Sequence, residues 1–514
     1  MKPSTELFKL IKSLSKSEKR FFKLMSALQD GDKNYLKIFD FIDSRASYSE
    51  EDLKDFFRDE TFIKHLPSEK NHLYKLILKS LRLFHGEESI SSVLKQEIKN
   101  VEVLFNRALL KECEKFLVRA KILAQQHEEF YYWFELISWE KKLLENAYES
   151  GDFTKSIEKL IEEEEYVISR LRNLAEYQMI YSKIDLVFRS GGFTRTENEI
   201  KVVDDIADYH LIKGQNTALS IRASSMCYYI KGLCAASKRD YNQSFIFFNK
   251  TREILDKNEF IKIDLGQRYV MTLSHLLRCY IENKNFDKAS QLIHDLRSLE
   301  GLKGFTSTEI SLKIFTRSSV LELMLFHSIG EFKKSVLLLP EIERKQKIFG
   351  DKVSKEQEVL LTYYKAYNCF GSGDYKKALF YLNNILNDNE QKLRQDIYSF
   401  SRIFNLILHY ELGNIDLLDY LIKSAGRYFS KNDRLNTIEL TFIKYFRKLS
   451  RAIENSERLL IFEMLKQELD ELFLDEKQKV VLEYFNIGAW LTSKIYKITF
   501  SEAIKSELEL NSTA

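Results

Sequence analysis

The chain has 514 residues, with 79 basic against 76 acidic side chains and only 3 prolines and 17 glycines. Average usage would place roughly 26 prolines and 36 glycines in a chain of this length, so turn-rich sandwiches, barrels and doubly wound sheets are excluded and an all-α protein of long helices is expected. A net charge of +3 is too small to argue for a nucleic-acid coat or a membrane-surface sheath.

No unbroken apolar stretch follows Met1-Lys2-Pro3, and no window of 18 apolar residues occurs. The cysteines Cys113, Cys227, Cys234, Cys279 and Cys369 are odd in number and scattered, as reduced core thiols are. The expectation is a cytoplasmic, non-exported protein without membrane contact.

In chain order, residues 1–90 form an N-terminal helical region. Helices are predicted over Glu6 to Leu14, from a capping box at Ser15-Lys16-Ser17-Glu18 through Leu28, over Asn34 to Ile42, over Ser49 to Arg58, and over Pro67 to Phe84 with Pro67 at the helix start. Residues 1 to 28 carry seven basic against two acidic side chains. On the last of these helices His72, Lys75, Lys79 and Arg82 make one stripe opposite Leu73, Leu76, Ile77, Leu81 and Phe84. Such a stripe after two short helices has loosely the order of a helix-turn-helix and could sit on phosphates. A solvated face is the simpler reading, since Glu50, Glu51, Asp52 and Asp55 crowd the preceding helix.

Residues 91–432 repeat themselves. A polar turn, an aromatic and, three residues on, a small residue recur at Gly151-Asp152-Phe153-Thr154-Lys155-Ser156, Arg239-Asp240-Tyr241-Asn242-Gln243-Ser244, Lys284-Asn285-Phe286-Asp287-Lys288-Ala289, Gly330-Glu331-Phe332-Lys333-Lys334-Ser335 and Gly373-Asp374-Tyr375-Lys376-Lys377-Ala378. Weaker copies surround Leu110, Phe193 and Ile415. Successive anchors lie roughly 40 to 48 residues apart, a period in the range of helical-repeat arrays. Eight αα-hairpins follow, with the turn aromatic packed between two helices and the small residue letting them approach closely.

Around these anchors, Ala366 and Gly232 stand nine residues upstream, Tyr280 six upstream, and Phe248, Ile293, Leu339 and Leu382 seven downstream. This pattern resembles the tetratricopeptide repeat (TPR) over roughly residues 100 to 430. Its units are longer than the family's usual ~34 residues and lack the closing proline. The resemblance implies a right-handed αα-hairpin solenoid. HEAT-like repeats, with periods of about 40 to 47, are the structural alternative. Residues 433–514 are predicted as long helices, Asn436 to Leu449, Ser456 to Phe473 and Glu476 to Tyr496, forming the C-terminal cap a solenoid needs.

Catalytic constellations are thin. No Gly-Lys-Ser/Thr phosphate loop, GxGxxG, GxSxG or HExxH motif occurs, so a non-enzymatic protein without metal or cofactor is expected. His127-Glu128-Glu129 reads as a polar helix end, Cys227 and Cys234 as core packing, and Glu162-Glu163-Glu164-Glu165 as a solvated outer face.

The resemblance also implies that first-helix positions about 12, 8 and 5 residues before each turn aromatic line a concave groove. Carried onto this chain these are Tyr148, Tyr181, Phe188, Tyr229, Arg278, His327, Tyr363, Tyr367, Phe370 and Tyr410, with Arg317 from a flanking position. Aromatic and arginine side chains are the types enriched at binding hot spots. The family's dicarboxylate clamp of lysines and asparagines is not reproduced. The expected function is a protein-interaction scaffold or adaptor that binds a peptide or helix of another protein in this groove, with nucleic acid not favoured. The alternative is a transcription regulator with an N-terminal DNA-binding unit and a repeat sensor domain.

Overall fold

The computed structural model describes residues 5–27, 33–151, 157–191, 194, 197–388, 394–431, 437–475 and 478–513, and among them every regular element is helical. The anchors Phe153 and Phe193 lie outside the described residues. No helix among the described residues is long and apolar enough to cross a membrane. The chain divides into two compact units, Met1–Val167 and Ile168–Ala514.

The first unit opens with α1 (Glu6–Ser13), α2 (Lys16–Ala27), α3 (Asn34–Ser44), α4 (Glu50–Phe56) and α5 (Leu66–Phe84). The capping box at the start of α2 is formed: the Glu18 N–H donates to Ser15 Oγ (3.2 Å) and the Ser15 N–H to Glu18 Oε2 (2.6 Å). Leu7, Ile11, Phe22, Ile38, Phe39, Leu53, Leu73 and Ile77 bury a core of their own. Then α6 (Ile90–Asn106), α7 (Leu110–Gln126) and α8 (Phe130–Glu149) pack in succession. Part of the expected solvated acidic run is engaged rather than free: Glu163 accepts from Trp133 Nε1 (2.6 Å) and pairs with Lys121 (2.7 Å), and Glu164 pairs with Lys141 (2.6 Å). The wide apolar face of α8 brings basic and indole donors within reach of α9 (Ile157–Gly191), the helix that carries both glutamates.

The second unit continues with α10 (Glu197–Ala207), α11 (Ile221–Ser237), α12 (Tyr241–Asp256), α13 (Glu259–Asp264), α14 (Gly266–Glu282), α15 (Phe286–Ser298), α16 (Thr308–Ser328), α17 (Phe332–Phe349), α18 (Lys355–Gly371), α19 (Tyr375–Leu386), α20 (Gln395–Glu411) and α21 (Ile415–Lys431). Helix α11 packs on α12, α14 on α15, α16 on α17, α18 on α19 and α20 on α21; α14 also packs on α16, α16 on α18 and α18 on α20.

One turn joins these pairs. Two residues before Leu110, Tyr241, Phe286, Phe332, Tyr375 and Ile415, which all open helices, the backbone turns left-handed at Ala108, Arg239, Lys284, Gly330, Gly373 and Gly413. The next N–H reaches back five residues, as from Asp240 to the Ala235 carbonyl and from Asp374 to that of Cys369, the bond that closes a Schellman cap. The same turn also occurs at Glu128 ahead of Phe130, about half a repeat past Leu110 and therefore off the predicted spacing. Ser244, Ala289, Ser335 and Ala378, three residues past their anchors, are fully buried, as are Cys113 and Leu418 in the weaker copies. A Cβ added to Gly232 would stand 2.8 Å from the Phe248 ring, which is why a glycine sits nine residues before Tyr241.

The C-terminal region departs from expectation. After α22 (Thr437–Leu449) and α23 (Asn455–Leu472) the predicted helix from Glu476 to Tyr496 is broken. A 3-10 turn, Gln478–Glu483, leads into an irregular link at Tyr484, Phe485 and Asn486, followed by α24 (Ile487–Tyr496) and α25 (Phe500–Thr513). Asn486 starts α24 by accepting the Ala489 N–H (2.8 Å), and a helix running through it would forfeit that cap.

Candidate functional site

Most of the predicted groove residues lie on α11, α14, α16, α18 and α20, the first helices of the pairs. Tyr148 is not among them; it belongs to α8 of the first unit and is half-buried there. Tyr181 and Phe188 of α9 are partly buried against the second unit's core, and Tyr181 stands 6.0 Å from the Tyr229 ring. Tyr363, Tyr367 and Phe370 are almost wholly buried, and Tyr410 packs edge-on against Phe462 and Trp490.

The predicted open aromatic groove is therefore corrected. The chain's own residues 478–513 lie against Arg278, Tyr363, Tyr367, Phe370 and Tyr410. Glu483 enters between Arg239 (Nε to Oε1, 2.9 Å), the Tyr241 hydroxyl (2.9 Å) and the Arg278 guanidinium, and Arg278 also pairs with Glu282 (2.8 Å). The Tyr363 hydroxyl donates to the Tyr484 carbonyl (3.2 Å), and the Asn486 N–H donates to the Tyr367 hydroxyl (3.0 Å). Tyr484 stacks on Phe400 (4.3 Å) and donates its hydroxyl to Asp396, a buried carboxylate also gripped by Arg394 (2.7 Å). Phe485 and Phe500 close over Tyr367 and Phe370. Further along, Trp490 and Lys494 both bind Glu411 (2.7 and 2.6 Å), and Lys505 pairs with Glu331 (2.9 Å).

Burial governs the titration of this face. It pushes the Tyr229, Tyr363 and Tyr367 hydroxyls well above the ordinary tyrosine range, so all three stay neutral. It also holds two imidazoles neutral: His275, stacked on Phe248 (4.6 Å), and His327, stacked on Tyr367 (4.6 Å), are both pushed down to about 3, with Arg317 adding to the effect at His275 and Arg278 at His327. Because these folded-state values lie below the unfolded one of about 6.5, the unfolded chain takes up protons first. Their contribution is complete above pH ~6.5 and is lost as pH falls toward 3. Between pH 7 and pH 5 each imidazole should cost about 1–2 kcal/mol of stability. Urea titrations at the two pH values check this, and the pH effect should shrink in His275→Phe/His327→Phe.

No sequence signal marks the 3-10 turn that carries Glu483, but Asn486 ahead of an apolar run could have been read as a helix start. The groove offsets also passed over Arg268 and Arg222, which stand further upstream of Phe286 and Tyr241 than any of the positions carried across. In the first unit His72, Lys75, Lys79 and Arg82 are all exposed on α5, with His72 edge-on to Tyr35 (5.7 Å). Beside them the basic charge of α2 is partly neutralised, Lys19 by Asp43 (2.5 Å) and Lys23 by Asp40 (2.6 Å). Cys227 and Cys234 are buried thiols, and among the described residues no three His, Cys, Asp or Glu side chains stand close enough together to hold a metal ion.

No family model, no curated protein and no solved structure matches the chain.

Proposed function

We propose that the second unit works as a right-handed, TPR-like αα-hairpin solenoid and acts as a non-enzymatic protein-interaction adaptor, gripping an extended segment of another protein on its inner face. The observation that supports this reading is the manner in which the chain's own residues 478–486 are held. A carboxylate sits between two arginines and a tyrosine, and the backbone groups on either side of Phe485 are bound by Tyr363 and Tyr367. The partner segment would carry the same order, an acid followed by two aromatics and an amide, and take the place of this stretch.

The test uses a fluorescein-labelled peptide of residues 478–496. Against the wild-type chain the tethered copy competes at millimolar effective concentration, so added peptide should bind weakly. Against Glu483→Ala, whose own segment is loosened, it should bind at least tenfold more tightly, and a peptide with alanine at the Glu483 position should not. Failure of the peptide to bind either chain overturns the adaptor reading.

The solenoid frame has its own check. Ala378 is fully buried where α19 meets α18, so Ala378→Trp overpacks that crossing by roughly 1–3 kcal/mol. Where each pair touches mainly its neighbours, amide exchange should rise chiefly over residues 315–430 and stay near wild type over residues 1–90. Uniform loss of protection along the whole chain would argue against a quasi-one-dimensional array.

A further inference from the structure

Arg278 of α14 serves two carboxylates from one nitrogen. Its Nη2 pairs with Glu483 of the C-terminal segment and, one turn along its own helix, with Glu282 (2.8 Å). The two acids are not equivalent. Glu483 arrives from 205 positions away and is shared with Arg239 (2.9 Å) and the Tyr241 hydroxyl (2.9 Å). Glu282 stands at i+4 from Arg278 on α14, so that pair survives whether or not the segment is docked.

While residues 478–486 are docked, the charges of Arg239, Arg278, Glu282 and Glu483 cancel. When Glu483 leaves, two cations remain beside one carboxylate, and Glu282 is what keeps Arg278 from standing bare. In the docked state the same Glu282 works against Glu483, as a like charge competing for one guanidinium. Both effects favour release. A neutral side chain at this position reverses them, because Arg278 then belongs to Glu483 alone and its departure uncovers an unpaired cation.

Protonation supplies that neutral side chain. Glu282 is 27% exposed at the end of α14, so solvent reaches it. Its low-dielectric surroundings raise its carboxyl to about 7, with the Glu483 charge adding and with Arg278 and Arg239 opposing. The other titratable groups around it are Cys279 on α14, Tyr241 on α12 and Tyr364 on α18; burial raises all three, and none of them ionises between pH 6 and pH 8. His327, stacked on Tyr364 (5.7 Å), is neutral over the same range. Undocking removes the like charge and admits water, which returns Glu282 toward its ordinary value near 4.5. Docking therefore takes up a proton. The contribution of that proton to docking is complete below pH ~4.5 and is lost as pH rises through 7.

We propose that Glu282 is the release switch for residues 478–486: ionised, it lets the stretch leave by holding Arg278 in its absence, and neutral, it locks the stretch down. That role rests on the reading of residues 478–486 as a displaceable occupant, and adds what governs the displacement.

The test is amide hydrogen exchange of the full chain with no peptide added, comparing protection over residues 478–486 with that of α14 after correction for the intrinsic pH dependence of exchange. In the wild type the ratio should fall about tenfold between pH 6 and pH 8. Glu282→Gln should keep the high pH 6 value and lose most of that dependence. Two other carboxyls touch the stretch. Asp396, desolvated but held below the ordinary carboxylate range by Arg394 and Tyr484, stays ionised at both pH values. Glu507, raised by burial, accepts from the Asn486 side chain (2.9 Å) and adds a dependence of the same sign, so the glutamine variant rather than the pH series assigns the effect to Glu282. Arg239→Met leaves Glu282 in place and should loosen the stretch at both pH values while keeping the tenfold step, the reading that remains where the glutamine variant folds poorly. Equal protection at pH 6 and pH 8, a step unchanged by Glu282→Gln, or exchange of residues 478–486 only together with α14 overturns the switch. Failure of the labelled peptide to bind, with the exchange step intact, overturns the adaptor reading alone.

Discussion

Glu483→Ala is expected to destabilise the second unit by about 3–5 kcal/mol, the usual consequence of removing one member of a buried charge cluster. The Glu483 side chain is only 6% exposed and holds Arg239, Arg278 and the Tyr241 hydroxyl at once. Its loss leaves Arg278 with Glu282 as its remaining carboxylate. The expected result is a lower urea midpoint with an unchanged slope, read by circular dichroism. Placing Arg278→Met on the same background should cost much less than it does alone, because the buried cation then lacks its main partner in both states. Strictly additive losses would mean that Glu483 and Arg278 do not act as a pair.

Trp490→Ala should cost as much, about 3–5 kcal/mol, but for a different reason. The indole is fully buried, parallel to Phe446 (6.1 Å) and edge-on to Phe462 (5.6 Å), and its Nε1–H donates to Glu411 (2.7 Å). Truncation opens a cavity between α22, α23 and α24, and takes one donor from Glu411, which keeps its pair with Lys494 (2.6 Å). Circular dichroism in urea gives the midpoint. Trp490→Phe, which refills most of the space, should recover more than half of the loss. An alanine variant as stable as wild type would mean that α24 is not docked on these helices.

Much of the helical frame is legible in the chain because its determinants are local. A left-handed residue, an N-cap and a helix-opening aromatic follow one another within three positions, so Asp374 capping the Lys377 N–H and Gly373 turning ahead of it are visible as Gly-Asp-Tyr. Arg239 and Lys284 occupy the same left-handed position without glycine, and there the aromatic and the small residue carried the pattern instead. The turn at Glu128 ahead of Phe130 escaped for the converse reason. Its local chemistry is the same, but its spacing is half a repeat.

What the amino-acid sequence determines by itself is thus the helical class, the turns and the buried small residues, all of which depend on neighbours a few positions away. Only the tertiary structure decides what covers the aromatic side chains of α18. Tyr363, Tyr367 and Phe370 have the same residue types whether they line an open groove or a filled one, and the outcome depends on Glu483, Tyr484 and Asn486 more than a hundred positions later. Charge compensation is equally non-local: Arg278 finds Glu483 across 205 positions, whereas Arg317 finds no carboxylate partner among the described residues. Helical periodicity places a side chain on a face, but the fold alone brings that face against a distant segment.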